Sequence, residues 1–209
     1  MQNLIVIGGG ELARVIIETA QAQKCWNVIG FVDPDPCIET TRRLGVERLG
    51  TDDDLPAYPH ARIILGVGTI KVSDIRRNIV ARVAMPASRW ATIIHPAAYV
   101  SPSAILSPGA IVLAGAVICS GASIGSHCII NLGAKIDHDV HVGSFVHVAP
   151  QAALGGGSRI EDDSYIGMGA IVRDHLTVSQ RTLVGMGAVV SKTFAPGKTL
   201  VGLPAREIK

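Results

Sequence analysis

Ile130-Asn131-Leu132-Gly133-Ala134-Lys135-Ile136-Asp137-His138-Asp139-Val140-His141-Val142-Gly143-Ser144-Phe145-Val146-His147-Val148 places an aliphatic side chain at Ile130, Ile136, Val142 and Val148, one in every six residues. The column extends back through Ile124, Ile118, Val112, Leu106 and Val100 to Ile94, and forward through Leu154, Ile160, Ile166, Val172, Val178 and Val184 to Val190. That is seventeen consecutive matches. If about a third of positions were Ile, Leu or Val at random, such a run would arise roughly once in 10⁸ trials, and hydrophobic periodicity is the primary structural signal in a sequence.

Two positions before each aliphatic lies a second column, mostly small: Ala98, Ala104, Ala110, Ala116, Ala122, Cys128, Ala134, then later Ala152, Ser158, Ser164, Ala170 and Ala188. A period of six with one large and one small inward column fits neither an amphipathic helix nor a plain hairpin meander. It fits a short-repeat β-solenoid in which three hexads make one triangular coil and the aliphatics stack inside from coil to coil. Gly125, Asn131, Asp137, Gly143, Gly155, Gly167 and Gly185 follow the large column directly. They are expected to turn the corners with positive φ, which is least costly for Gly, Asn and Asp. Because the spacing never slips between Ile94 and Val190, no long loop is expected to leave the solenoid there.

The remaining N-terminal residues read as a different kind of unit. Asn3-Leu4-Ile5-Val6-Ile7 is an apolar run ending in Gly8-Gly9-Gly10, followed by the helical rhythm of residues 11–20. A second strand, Trp26 to Val32, ends in Asp33-Pro34-Asp35-Pro36. A third, residues 61–67, runs into Gly66-x-Gly68 ahead of a helix carrying Asp74, Arg76 and Arg77. Alternating strands and helices imply a small parallel sheet with ligands at the carboxyl ends of its strands. Gly9 and Gly10 would let a diphosphate approach the backbone at a helix N-terminus, and Asp33 could accept a hydrogen bond from a ribose hydroxyl or a base N–H. Gly68 and Lys71 in the loop after the third strand could face a phosphate. A tight turn without a ligand is the competing reading of the glycines, since the full G-x-G-x-x-G spacing is missing.

Composition narrows the function classes. A net charge of +2 with 17% charged residues in 209 carries no basic stripe of the kind that binds nucleic acid. No apolar run reaches the roughly 18 residues of a membrane span, and Met1 leads straight into a strand, so no membrane insertion and a cytoplasmic location are expected. Cys25, Cys37, Cys119 and Cys128 show no C-x-x-C pairing, consistent with free thiols in a reducing compartment.

Three of the seven histidines, His138, His141 and His147, fall within ten residues. Imidazole titrates nearest neutrality and is the natural general base for an amine or hydroxyl nucleophile. A neighbouring carboxylate, Asp137 or Asp139, could fix its tautomer and stabilise its protonated form. Asp137 stands at a turn position, which makes Asp139 the better partner. A zinc site from the three histidines would need them to converge, which their spacing does not readily allow on a solenoid.

These residues carry a resemblance. Ile136-Asp137-His138-Asp139 with Val142-Gly143 and His147-Val148, the later Val184-Gly185-Met186-Gly187-Ala188, and the closing Val201-Gly202-Leu203-Pro204-Ala205 are similar to the PglD/NeuD-like sugar acyltransferases of the hexapeptide-repeat superfamily. The resemblance covers essentially the whole chain. It implies a small α/β Rossmann-like N-terminal domain, residues 1–88, that binds the acceptor nucleotide, followed by a left-handed parallel β-helix acyltransferase domain, residues 89–209. It further implies a homotrimer that uses acetyl-CoA, with no metal, to acetylate the amine of a nucleotide-linked amino sugar. The alternative is O-acetylation of a sugar or sialic-acid hydroxyl. By this similarity the catalytic base falls on His138 and its acidic partner on Asp139, while the CoA-binding positions fall on His147, Gly156, Met168 and Met186. The chain departs from the pattern at one place. Where the family has Gly-His beside the nucleotide-binding turn, this chain has Glu11-Leu12, and a carboxylate beside a phosphate is electrostatically unhelpful. Acceptor contacts are therefore expected from Gly9, Gly10, Leu12, Asp33 and Gly68, with the nucleotide and sugar unspecified. A non-catalytic solenoid is the third class, against which the His138-Asp139 pair argues.

Overall fold

The computed structural model describes residues 1–38 and 44–208 of the chain. It divides into two compact units, Met1–Gly68 with Ile75–Pro96, and Thr69–Asp74 with Ala97–Lys209. Residues 69–74 make their contacts with the second unit.

The first unit holds a four-stranded parallel sheet of β1 (Gln2–Ile7), β2 (Trp26–Val32), β3 (Arg48–Gly50) and β4 (Arg62–Leu65), in the order β3-β2-β1-β4. Two helices accompany it, α1 (Glu11–Gln23) and α2 (Ile75–Val83). Leu4 to Ile7 are all buried, as a parallel strand covered on both faces requires. α1 buries Ala13, Ile16, Ile17 and Ala20, a helical stripe. Ile5, Ile7, Val32, Ile63 and Leu65 form a cluster with Leu55, Ile79 and Trp90. β3 is an edge strand of three residues, too short to give a sequence signal.

The second unit is a left-handed parallel β-helix. As far as Val190 its strands are two residues long and pair with strands eighteen residues away, so that Ser123↔His141 and Lys135↔Ala153 are in register. Three faces result. The first carries Ile105–Leu106, Ser123–Ile124, His141–Val142, Arg159–Ile160 and Thr177–Val178. The second carries Ile111–Val112, Ile129–Ile130, His147–Val148, Tyr165–Ile166, Leu183–Val184 and Thr199–Val201. The third carries Tyr99–Val100, Val117–Ile118, Lys135–Ile136, Ala153–Leu154, Ile171–Val172 and Val189–Val190. From Val112 to Val190 the sixth-residue aliphatics are buried, and so is the small column beside them. The expectation of no extruded loop holds: a strand recurs every six residues as far as Val190. At the C-terminal end Arg206–Ile208 folds back antiparallel on Thr199–Val201, with the Val201-Gly202-Leu203-Pro204-Ala205 segment turning between them.

The corners differ from expectation. From Leu106 to Val184 the left-handed residue is the third after each large aliphatic, as at Gly121, His127, Gly133, Asp139, Phe145, Gln151, Gly157 and Asp163. The glycines directly after the aliphatic meet another constraint. A Cβ on Gly125 would lie 2.5 Å from the Gly143 carbonyl carbon, and one on Gly167 2.6 Å from Val184 O. They are glycine because the next coil's backbone occupies the space a side chain would need. Gly125→Ala should therefore destabilise the protein by about 1–3 kcal/mol, the range for overpacking a close-packed interior. A wild-type denaturant midpoint for this variant would show that the coils have slack at this corner.

Candidate active site

The second unit's corner between the third and first faces stacks Cys119-Ser120-Gly121, Asp137-His138-Asp139 and Gly155-Gly156-Gly157, one coil apart. The backbone ladder fixes their spacing: Asp139 N donates to Ser120 O at 2.9 Å and Gly157 N to His138 O at 2.9 Å. His138 Nδ1 lies 3.0 Å from Asp139 Oδ2. A carboxylate accepts, so Nδ1 carries the proton and Nε2 presents a lone pair. Asp139 itself takes the left-handed conformation, φ 57°. That corrects the reading of Asp137 as the residue of turn geometry. Asp137 instead accepts the His138 backbone N–H at 2.7 Å through Oδ1. The hydrogen bond to Asp139, then the charge of Asp137, raise the His138 pKa above the ordinary imidazole value.

Glycines bracket the pair. A Cβ at Gly156 would stand 2.5 Å from His138 Nε2. At Gly121 a Cβ would collide with Asp139 Oδ1. The imidazole therefore lies over Gly156, which places this sequence-expected residue against the proposed base.

The other expected cofactor positions lie elsewhere on the prism. Met168 and Met186 project from the corner between the second and third faces, 57% and 82% exposed, with Gly187 N bonded to Met168 O at 2.8 Å. His147 is on the second face, across the core from the His138 corner. Its Nδ1 is 3.2 Å from Thr69 O and its Nε2 is 3.1 Å from Asn131 Nδ2. Asn131 Oδ1 accepts the Leu132 N–H at 2.8 Å, which fixes the amide with Nδ2 as donor. Both ring nitrogens of His147 are thus engaged within the chain. His141 is on the first face, its Nδ1 2.8 Å from Ser123 Oγ, so the three histidines point in three directions. Between the two corners, the third face forms a groove of about 380 Å³ lined by Val117, Cys119, Lys135, Asp137, Ala153 and Ile171 among others.

In the first unit, the expected acceptor residues gather at the carboxyl ends of the strands. Gly9 N donates to Asp33 Oδ2 at 2.7 Å, and Asp35 N to Asp33 Oδ1 at 2.9 Å. Asp33 thus holds the glycine turn, with both oxygens already accepting from the backbone. Gly10 caps α1 without a side-chain bond, and a Cβ there would meet nothing within 4 Å. Leu12 packs towards Gly68, where a Cβ would come within 3.1 Å of Leu12 Cδ2. A cavity of about 280 Å³ opens beside this cluster between Gly8, Asp33, Val67 and Ile79. Its wall includes Asp52, paired through Arg82 Nε at 2.9 Å. Sequence reasoning missed Asp52, Arg82 and Asn131: the first two are thirty residues apart in a unit without repeats, and Asn131 carries no signal until its histidine partner is known.

Comparison with known proteins accords with this geometry. Residues 3–83 match the family model for the PglD N-terminal domain. The chain is 30% identical over 213 aligned residues to GDP-perosamine N-acetyltransferase of Escherichia coli O157:H7, covering 98% of this chain and 95% of that protein. Among solved structures, it is similar to a histidine-to-asparagine mutant of perosamine N-acetyltransferase from Caulobacter crescentus in complex with CoA and GDP-perosamine, with a TM-score of 0.90, 31% identity and coverage of 100% and 98% of the two chains. It is also similar to the acetyltransferase domain of PglB from Neisseria gonorrhoeae in complex with acetyl coenzyme A, with a TM-score of 0.87, 34% identity and coverage of 99% of each chain. With near full-length similarity and a β-helix corner that presents an Asp-oriented imidazole, the chain belongs to the PglD-like sugar acetyltransferases.

Proposed function

We propose that this protein transfers an acetyl group from acetyl-CoA to the amine of a nucleotide-linked amino sugar, with His138 as general base. The observation that carries the reading is the Nδ1–Asp139 hydrogen bond, which leaves Nε2 as a proton acceptor on an exposed corner. The amine lone pair attacks the thioester carbonyl carbon while Nε2 takes its proton. The carbon–sulfur bond then breaks, and the imidazolium returns the proton to the departing CoA thiolate. The developing oxyanion needs a backbone donor. Gly155 N and Gly157 N donate to Val172 O and His138 O, so the Gly156 N–H is assigned that role.

A site shared between copies of the chain follows from the placement of the expected residues. His138 and His147 lie on opposite sides of one prism, so one ligand reaches both only where two copies meet. The third face, next to the His138 corner, exposes Tyr99 and Ile171 beside Val117 and Ala153, an apolar surface suited to such an interface. A homotrimer is the assembly this reading expects. The acceptor's nucleotide is assigned to the carboxyl end of the first unit's sheet, at Gly9, Gly10, Leu12, Asp33 and Gly68. The relatives crystallised with GDP-perosamine support an amine acceptor.

His138→Ala should lower kcat by about 10²–10⁴-fold, the usual contribution of a general base, with CoA binding retained in calorimetry. Wild-type kcat would remove the assignment. Gly156→Ala should also lower kcat, because its Cβ displaces the imidazole, and in a His138→Ala background it should add less than the product of the two separate losses. Fully multiplicative losses would mean that Gly156 acts without His138. In a melting assay, nucleoside diphosphates and CoA should each raise Tm, by an amount corresponding to about 2.7 kcal/mol at a hundredfold excess over Kd. If CoA alone does so, hydroxyl acceptors without a nucleotide become the better reading. Light scattering should report a trimer, and a monomer at micromolar concentration would contradict the shared site.

A further inference from the structure

We infer that Asp137 is a positioning residue for His138, holding the turn that carries the base and placing a second negative charge on the groove side of the imidazole. The inference rests on the reading of His138 as the general base. Its geometry is independent of that reading. The Asp137 N–H continues the ladder to Leu154 O at 3.1 Å, so its main chain is fixed to the next coil. From there Oδ1 captures the His138 N–H at 2.7 Å. One other corner uses the same device: Asn131 Oδ1 holds the Leu132 N–H at 2.8 Å while its Nδ2 orients the His147 ring. In both places an Asx residue secures the backbone with one atom and leaves the other for a histidine site. At Asp137 that second atom is a carboxylate oxygen, and the residue lines the groove on the third face.

The surroundings make this charge matter. Facing His138 from its own turn are Asp137 and Asp139; Lys135 is on the strand leading in and His141 on the strand leading out. The coil before contributes Cys119 and the uncharged Ser120 and Gly121, and the coil after only glycines 155 to 157. Two coils on, Arg173 lies 3.8 Å from Asp174, with His175 beside them. The cation nearest in sequence, Lys135, is two residues before Asp137, so the turn itself is doubly anionic. Two carboxylates favour the imidazolium that forms in the transition state, and they attract an acceptor that arrives as an ammonium ion.

The test uses a substitution with a precedent inside the fold. Asp137→Asn keeps an oxygen that can hold the His138 N–H, as Asn131 does for Leu132, and removes only the charge. Its melting temperature and CoA affinity should match wild type, while the acidic limb of its kcat/KM profile moves to lower pH, because losing a neighbouring anion lowers an imidazole pKa. Asp137→Ala, which loses the backbone bond as well, should lower kcat by up to about 10²-fold across the pH range, as expected for a displaced base. A pH profile of Asp137→Asn that superimposes on wild type would overturn the inference if His138→Ala is inactive. If His138→Ala keeps full activity, the general-base reading itself falls, and the role of Asp137 with it.

Discussion

Everything in the second unit depends on a parallel ladder whose strands are only two residues long. No such strand is stable alone; each is held by hydrogen bonds to the coils eighteen residues before and after, and by an aliphatic stacked on the one below. Stability in such a solenoid is a sum of coil-to-coil terms. Any residue that lifts one coil off its neighbour therefore forfeits the whole term between those two coils. Hence the corners tolerate so little at Gly125, Gly143 and Gly167, and the C-terminal hairpin of Thr199–Val201 and Arg206–Ile208 covers the last strand's edge.

The same rigidity makes the corner a good place for chemistry. A side chain on a mobile loop must be ordered before it can act; the imidazole of His138 stands on a backbone fixed above and below by Ser120 O and Gly157 N. Its orientation then needs only one more hydrogen bond, which Asp139 supplies from within the turn. Gly121 and Gly156 leave open the volume that the two side chains occupy. The His138–Asp139 geometry is a by-product of coil spacing, with two glycines as the clearance.

The solenoid was legible in the sequence because burial repeats: each aliphatic in the column faces the same environment, so the period survives any choice of outward residue. The corner conformation was not legible. Phe145, Gln151 and Arg181 all adopt positive φ, although none is a residue that favours it. The ladder imposes the conformation coil after coil and overrides local preference. His138 and Asp139 could be paired from adjacency. The roles of Asp33 and His147 could not, because each depends on partners distant in sequence: the Gly9 amide for one, Thr69 O and Asn131 for the other. The contacts of segment 69–74 were not legible for a similar reason. Asp74 pairs with Arg181, whose Nη1 lies 2.5 Å from Oδ1, and no local pattern announces a contact across 107 residues.

The left-handed backbone at Asp139 sets a limit on how this scaffold can be improved. An L-residue in that region is disfavoured by about 1–2 kcal/mol, less for Asp than for most, and glycine would relax it. The residue that relieves the strain at that position is thus one that removes the carboxylate from His138. Selection for relief of that strain alone would favour glycine at 139 and lose the carboxylate that bonds His138 Nδ1. With Asp139 orienting the base as proposed, stability and turnover pull in opposite directions at that backbone position.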